Sequence, residues 1–164
     1  MALSRRDFLK LCGGSAAALG LSQTFVPEIA HALEKAAAGQ PPVIWLAGSA
    51  CTGCSVSLLN TVHPDIKDVL LKIISLRYHQ TVMAASGDSA EKAKADGLKK
   101  GGYLLVVEGA VRLGVGGNTC RISGKTGLEH LKAAGAGADA IIALGSCAVD
   151  GGWVRAVPAS AKAD

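Results

Sequence analysis

Four cysteines carry the clearest chemical signal in this chain, because each lies in a loop that follows a short apolar run. They occupy three separate segments, and two of them form a Cys-x-x-Cys pair: Cys51, Cys54, Cys120 and Cys147. Thiolates are common ligands of structural zinc and of iron–sulfur clusters. The pattern therefore predicts one buried metal centre that several strands bring together.

The spacing of these cysteines leaves the kind of metal open. Structural zinc usually has two compact Cys-x-x-Cys pairs, whereas this chain has one pair and two distant single cysteines. An iron–sulfur cluster accepts dispersed thiolates, and glycine-rich loops suit it because their backbone N–H groups can approach the sulfurs. Structural disulfides are disfavoured, because a close cysteine pair more often binds a metal or acts in redox catalysis. The spacing favours an iron–sulfur cluster and keeps zinc as the alternative.

Apolar runs and helical segments alternate along the chain. The predicted strands are 43–46, 74–78, 103–107 and 140–144; the predicted helices are 54–60, one that begins at Pro64, one that Asp88 or Ser89 caps and that ends at Lys99, and 126–136. This alternation predicts an α/β fold, a parallel sheet with covering helices. The strands lack polar alternation and are therefore expected to be buried on both faces.

The predicted fold places the cysteines at one edge of the sheet. Ligands of parallel sheets bind beyond the carboxyl ends of the strands, and each cysteine segment follows such an end. We therefore expect the metal centre there. A nucleic-acid partner is not expected, because the net charge is only +4, the lysines are scattered and aromatic residues make up 4% of the chain.

The amino terminus has the pattern of an export signal. Residues 4–10 read SRRDFLK, which is typical of a twin-arginine leader. The apolar region 11–26 is too short and too polar to span a bilayer, and 30–32 has the small residues that a signal peptidase prefers. The predicted organisation is a signal peptide at 1–32, which would also remove Cys12, a flexible lead-in at 33–42 and one domain at 43–164. Because this route exports folded proteins, the metal would be loaded in the cytoplasm and the protein delivered to the periplasm.

Longer motifs around the cysteines resemble those of nickel–iron hydrogenase small subunits. Residues 45–60, WLAGSACTGCSVSLLN, are similar to the amino-terminal signature of that family. Residues 107–110, VEGA, and 145–152, GSCAVDGG, resemble its later motifs in the same order. The sequence departs from the family pattern at Val111-Arg112, where an aliphatic residue and proline are usual, and at 157–160.

The resemblance implies a flavodoxin-like domain that holds one proximal 4Fe-4S cluster. Its ligands would be Cys51, Cys54, Cys120 and Cys147, and the nickel–iron site would lie on a partner large subunit. Glu108 falls in the family's Glu-Gly motif beside the cluster. It would either pass protons or hold the interface, or it would be a structural glutamate that bonds a loop.

The function that the resemblance implies is electron transfer in a periplasmic uptake hydrogenase. Electrons from H2 oxidation would pass through the proximal cluster to an acceptor such as a c-type cytochrome or a membrane cytochrome b, and a partner could associate the protein with the membrane. The family's second domain, with medial and distal clusters, has no counterpart before Asp164, so we expect either a fragment or another chain that supplies the rest of the path.

Two alternatives remain at this stage. The first is an iron–sulfur subunit of a quinone-reductase-type complex, although such subunits typically carry adjacent cysteines where this chain has Cys51-Thr52-Gly53-Cys54 and lack an export signal. The second is an exported, zinc-stabilised binding module.

Overall fold

The apolar runs of the sequence form a four-stranded parallel sheet, which confirms the predicted α/β fold. The computed structural model describes residues 39–156; the predicted signal peptide, most of the predicted lead-in and residues 157–164 lie outside the described residues. The sheet strands are β1 (Pro42–Ala47), β2 (Ser75–His79), β3 (Tyr103–Glu108) and β6 (Ala138–Leu144), in the order β2-β1-β3-β6. A small antiparallel hairpin, β4 (Arg121–Ile122) with β5 (Lys125–Thr126), precedes β6.

Short helices connect the strands. They are α1 (Gly53–Leu59), α2 (Ile66–Asp68, continued by a π-helix Val69–Ile73), α3 (Gly87–Lys100), a 3-10 turn (Gly114–Gly117), α4 (Gly127–Gly135), α5 (Ser146–Asp150) and α6 (Gly152–Arg155). Within residues 39–156, no helix has both the length and the hydropathy needed to cross a membrane.

Two helices begin at other residues than the sequence predicted. Pro64 lies outside α2, because Asp65 is the N-cap and its carboxylate accepts a hydrogen bond from Asp68 N at 2.8 Å. The residue before α3 is Ser86, so Asp88 and Ser89 lie inside the first turn and do not cap it. An N-cap residue typically has extended backbone angles, as Asp65 and Ser86 do.

The core lies on both faces of the two central strands. On one face Ile44, Leu46 and Leu105 pack with Ala134 of α4 and with side chains of α3. On the other face the alternate residues Val43, Trp45 and Val106 pack near Leu58 of α1. The expected burial on both faces is therefore confirmed for β1 and β3.

The same expectation is wrong for β6. Ile141 and Ile142 point to opposite faces of this strand, and they are 56% and 43% exposed. β6 is an edge strand, because it pairs with β3 on one side only and no further strand of residues 39–156 lies beyond it, and the elements of residues 39–156 leave these two side chains uncovered. Apolar composition alone does not distinguish a central strand from an edge strand.

Candidate metal centre

The cysteine segments follow the carboxyl ends of three adjacent strands. Cys51 and Cys54 follow β1, Cys120 lies in the segment after β3, and Cys147 follows β6. All four are free cysteines. In the Cys51–Cys54 loop, Thr52 has a left-handed φ of 66° and Gly53 N donates to Cys51 Sγ at 3.4 Å. A β-branched residue adopts this conformation only when its surroundings impose it.

Glycines leave the space that two of the sulfurs occupy. A Cβ on Gly145 would lie 2.5 Å from Cys54 Sγ, and a Cβ on Gly152 would lie 2.7 Å from Cys147 Sγ. Gly145 also has a φ of +78°, which L side chains rarely adopt. No side chain larger than hydrogen fits at these positions without moving a thiol. A set of four reduced thiols, two of them closely backed by glycine, fits the donor chemistry of an iron–sulfur cluster.

Two neighbouring thiols and a carboxylate influence the Cys54 thiol electrostatically. Burial, which is the largest influence, raises the pKa of the Cys54 thiol, and the charges of Glu108, Cys51 and Cys147 raise it further. These groups disfavour a bare thiolate at Cys54. A bound cluster would supply positive iron that favours the thiolate form.

Cys120 lies apart from this group, against the start of α4. Its Sγ is 3.4 Å from the position that a Cβ of Gly127 would occupy, and its carbonyl accepts from Gly127 N at 2.9 Å. Within residues 39–156, no three His, Cys, Asp or Glu side chains are placed to hold one metal ion. A cluster makes a different demand, since each thiolate binds a separate iron.

The sequence predicted a buried metal centre, but the cysteines are not buried by residues 39–156. Cys51 is exposed, and Cys54, Cys120 and Cys147 are partly exposed. The loops that carry them lie at the rim of the sheet and contain small residues, so they cover little of one another. Shielding of a cluster from water would have to come from outside residues 39–156.

Glu108 is buried directly behind Cys54 and accepts four hydrogen bonds. Its Oε1 accepts from Cys54 N at 3.1 Å and from Ser55 N at 3.3 Å, and its Oε2 accepts from Ser55 Oγ at 2.5 Å and from Trp45 Nε1 at 2.9 Å. Thr52, the N-cap of α1, makes no side-chain capping bond. The carboxylate from β3 therefore caps the first turn of α1 in its place.

The electrostatics of Glu108 agree with this arrangement. Burial alone would raise the pKa of the carboxyl, but the hydrogen bonds from Ser55, Trp45 and Cys54 outweigh it and the pKa is lowered. Glu108 is 2% exposed. Of the three roles that the sequence left open, these contacts support the structural one, in which the glutamate bonds the cysteine loop.

A buried histidine extends the network, and its contacts fix its tautomer. His79 Nδ1 accepts from the backbone N–H groups of Thr81 at 3.1 Å and Val82 at 3.3 Å, so Nδ1 carries no proton. The proton is on Nε2, which donates to Ser55 Oγ at 3.3 Å. The order of donation is thus His79 to Ser55 to Glu108.

Sequence reasoning missed this network, although a signal was present. His79 and Glu108 are polar residues at the carboxyl ends of apolar strands, and Trp45 is the register partner of His79. A polar side chain at that end of a buried strand points to the site edge of a parallel sheet.

We expect the stability of the protein to fall as the pH drops below about 6.5. Burial, the largest influence, lowers the pKa of His79 and outweighs the nearby Glu108 charge, which raises it. The unfolded chain therefore binds a proton that the folded chain does not. The contribution of neutral His79 to the free energy of unfolding is fully present above the pKa of the unfolded chain. It is lost as the pH falls through the lower pKa of the folded chain.

The measurement is urea denaturation between pH 7.5 and 5. His79→Asn keeps an acceptor for the Thr81 and Val82 amides but does not titrate, so it should flatten this pH dependence. His63→Asn is the matched control, because His63 is exposed. Equal slopes for wild type and His79→Asn would contradict the expectation.

Comparison with known proteins agrees with the motifs. The sequence profile of the family described as NADH ubiquinone oxidoreductase, 20 Kd subunit, matches residues 51–164. The uptake hydrogenase small subunit of Azotobacter vinelandii is 47% identical over 148 residues, which are 89% of this chain and 41% of that protein. The periplasmic [NiFeSe] hydrogenase small subunit of Desulfomicrobium baculatum is 42% identical, over 93% of this chain and 52% of that protein.

The fold comparison leads to the same group. The crystal structure of a reduced, active form of the Ni-Fe-Se hydrogenase from Desulfomicrobium baculatum superposes with a TM-score of 0.70 at 39% identity, covering 73% of this chain and 46% of that one. The chain belongs to the NADH ubiquinone oxidoreductase 20 kDa subunit family. Within that family its relatives above are hydrogenase small subunits, which confirms the resemblance that the motifs indicated. The chain spans only about half or less of their lengths.

Proposed function

We propose that this chain is the electron-transfer small subunit of a periplasmic nickel–iron hydrogenase. It holds one proximal 4Fe-4S cluster on Cys51, Cys54, Cys120 and Cys147. A cluster bound there would supply one-electron transfer for the electrons that H2 oxidation would release on a large subunit. The protein's own residues position the thiolates and exclude water from one side of the site.

The observation that carries the proposal is the position of the cysteines within this fold. Three adjacent strands each lead into a cysteine segment at their carboxyl ends, and the chain around them is 47% identical to an uptake hydrogenase small subunit. Glu108 and the glycines behind Cys54 and Cys147 support the ligand assignment from the protein side, because they fix or make room for those residues.

The quinone-reductase alternative shares the family name but fits the chain less well. The matching family is named after a subunit of a quinone-reducing complex. The relatives above, with more than 40% identity, are hydrogenase subunits. The Cys51-Thr52-Gly53-Cys54 spacing differs from the adjacent cysteines expected of the alternative. We therefore propose the hydrogenase function.

The proposal includes a partner and a location. The large subunit would supply the nickel–iron site, and a c-type cytochrome or membrane cytochrome b would take the electrons. Export by the twin-arginine route would deliver the folded, loaded protein to the periplasm, which agrees with the periplasmic relative.

Anaerobic reconstitution of the full chain should give iron and sulfide at the stoichiometry of one 4Fe-4S cluster per chain. Serine is a much weaker ligand for these clusters, so Cys51→Ser, Cys54→Ser, Cys120→Ser and Cys147→Ser should each lower the retained iron. Iron and sulfide analysis and the EPR spectrum of the reduced protein measure this.

Cys12→Ser is the matched control, since Cys12 lies in the predicted signal peptide. It should bind as much iron as wild type. A protein that takes up only zinc, or one that forms two disulfides and stays colourless, would refute the proposed function.

A further inference from the structure

A buried lysine and a buried histidine line the same cavity as Cys120 and have no part in the site described so far. Lys94 of α3 is 5% exposed and His130 of α4 is 8% exposed. Both line a cavity of about 20 Å³ whose wall also includes Cys120, Ile122 and Gly127. Buried charge of this kind is rarely retained without a partner or a role.

The contacts of Lys94 define its charge and direction. Its ammonium lies 2.7 Å from the Glu91 carboxylate, 3.1 Å from His130 Nδ1 and 5.3 Å from the centre of the Tyr78 ring. An ammonium can only donate hydrogen bonds, so His130 Nδ1 must accept and carries no proton. The tautomer of His130 is thereby fixed.

The other nitrogen of His130 reaches the segment that contains Cys120. With Nδ1 as acceptor, Nε2 carries the proton and donates to Ile122 O at 2.8 Å. Ile122 is two residues from Cys120 and belongs to the β4–β5 hairpin.

The hairpin in turn fixes the backbone of Cys120. Gly127 N donates to Cys120 O at 2.9 Å, and Cys120 N donates to Gly117 O at 3.3 Å. These bonds hold Cys120 between the glycine-rich turn and the start of α4. The hydrogen bonds of Lys94 and His130 described above do not involve the segments of Cys51, Cys54 or Cys147.

We propose that Lys94 and His130 are positioning residues for Cys120. The Lys94 ammonium sets the His130 tautomer, and His130 then holds the hairpin so that Cys120 keeps its place against α4. The role of the Cys120 position in cluster binding rests on the proposed function. The positioning of Cys120 by Lys94 and His130 does not depend on a bound cluster.

The first test measures the thiol directly, in the full-length reduced chain before any iron is added. Each cysteine is alkylated with iodoacetamide under anaerobic conditions and followed by mass spectrometry. His130→Leu and Lys94→Met should raise the Cys120 rate about fivefold, the change in local opening expected for one lost hydrogen bond. The rates of Cys51, Cys54 and Cys147 should stay unchanged.

Two variants serve as controls. The amide of His130→Gln can still donate to Ile122 O and accept from Lys94, so it should restore the wild-type rate to within about twofold. Lys92→Met changes an exposed lysine of the same helix and should have no effect. If His130→Leu does not fold, Lys94→Met and His130→Gln still decide the question.

The second test measures iron loss to a chelator from the reconstituted chain. The variants that raise Cys120 alkylation should also release iron faster. Unchanged Cys120 alkylation in His130→Leu and Lys94→Met would refute the positioning role, as would an equal rise at all four cysteines, which indicates general loosening. If wild type binds no cluster, the proposed function fails, whereas the alkylation rates still decide the positioning role.

Discussion

Replacing Glu108 with alanine should lower the free energy of unfolding by about 3–5 kcal/mol. The substitution leaves four donors without their acceptor: Trp45 Nε1, Ser55 Oγ and the backbone amides of Cys54 and Ser55. Buried donors that lose their partner keep the full cost of their desolvation. The first turn of α1 also loses its cap, so the Cys54 thiol should become more reactive. Urea denaturation and the rate of Cys54 alkylation measure the two effects.

A second substitution separates the effect of the negative charge of Glu108 from the effect of its side-chain volume. Glu108→Gln keeps the volume and one acceptor oxygen, but its NH2 group faces donors, so we expect a smaller loss of about 1–3 kcal/mol. Asp96→Ala, at an exposed position of α3, is the control and should change stability by less than about 0.5 kcal/mol. Wild-type stability in Glu108→Ala, with only electron transfer or proton uptake impaired, would favour the proton-passing role instead.

Expressed without a large subunit, the chain should associate with itself or lose its cluster rapidly in air, and with one it should elute as a stable heterodimer. The structural reason is that every cysteine segment carries large apolar side chains that are at least half exposed: Val56 near Cys54, Leu113 and Val115 before Cys120, and Val149 and Trp153 after Cys147. Exposed apolar side chains on segments that share one edge of a sheet are typical of an interaction site. Under the proposed function, the large subunit would cover it and the cluster together.

Trp153 is the best single probe of this surface, because it is 70% exposed and tryptophan is often an interface hot spot. Trp153→Ser should weaken pairing with the large subunit about 30-fold, which corresponds to about 2 kcal/mol. Leu71→Ser is the control, since Leu71 is 67% exposed but lies before β2, toward the amino ends of the strands. A lone chain that stays monodisperse and keeps its cluster in air would contradict the need for a covering partner.

The sequence by itself determined the fold class and the three cysteine segments. Apolar runs separated by helical segments are enough to predict a parallel sheet, because strand and helix periodicities are local properties. The position of Cys51, Cys54 and Cys147 after strand ends followed from that alternation. The motifs also indicated the hydrogenase relatives, since they preserve residue types at fixed spacing.

The tertiary structure decided which strands are central and which partners the polar residues have. The exposure of Ile141 and Ile142 depends on which elements pack against the edge strand β6, which no local pattern encodes. The hydrogen bonds that His79 and Glu108 make to Ser55 join residues that are distant in sequence. The same holds for Lys94 and His130, whose contact joins two helices. These side chains come within hydrogen-bond distance only when the sheet and its helices have formed. Their tautomers and charges cannot be read from the sequence, because both depend on the neighbours that folding supplies.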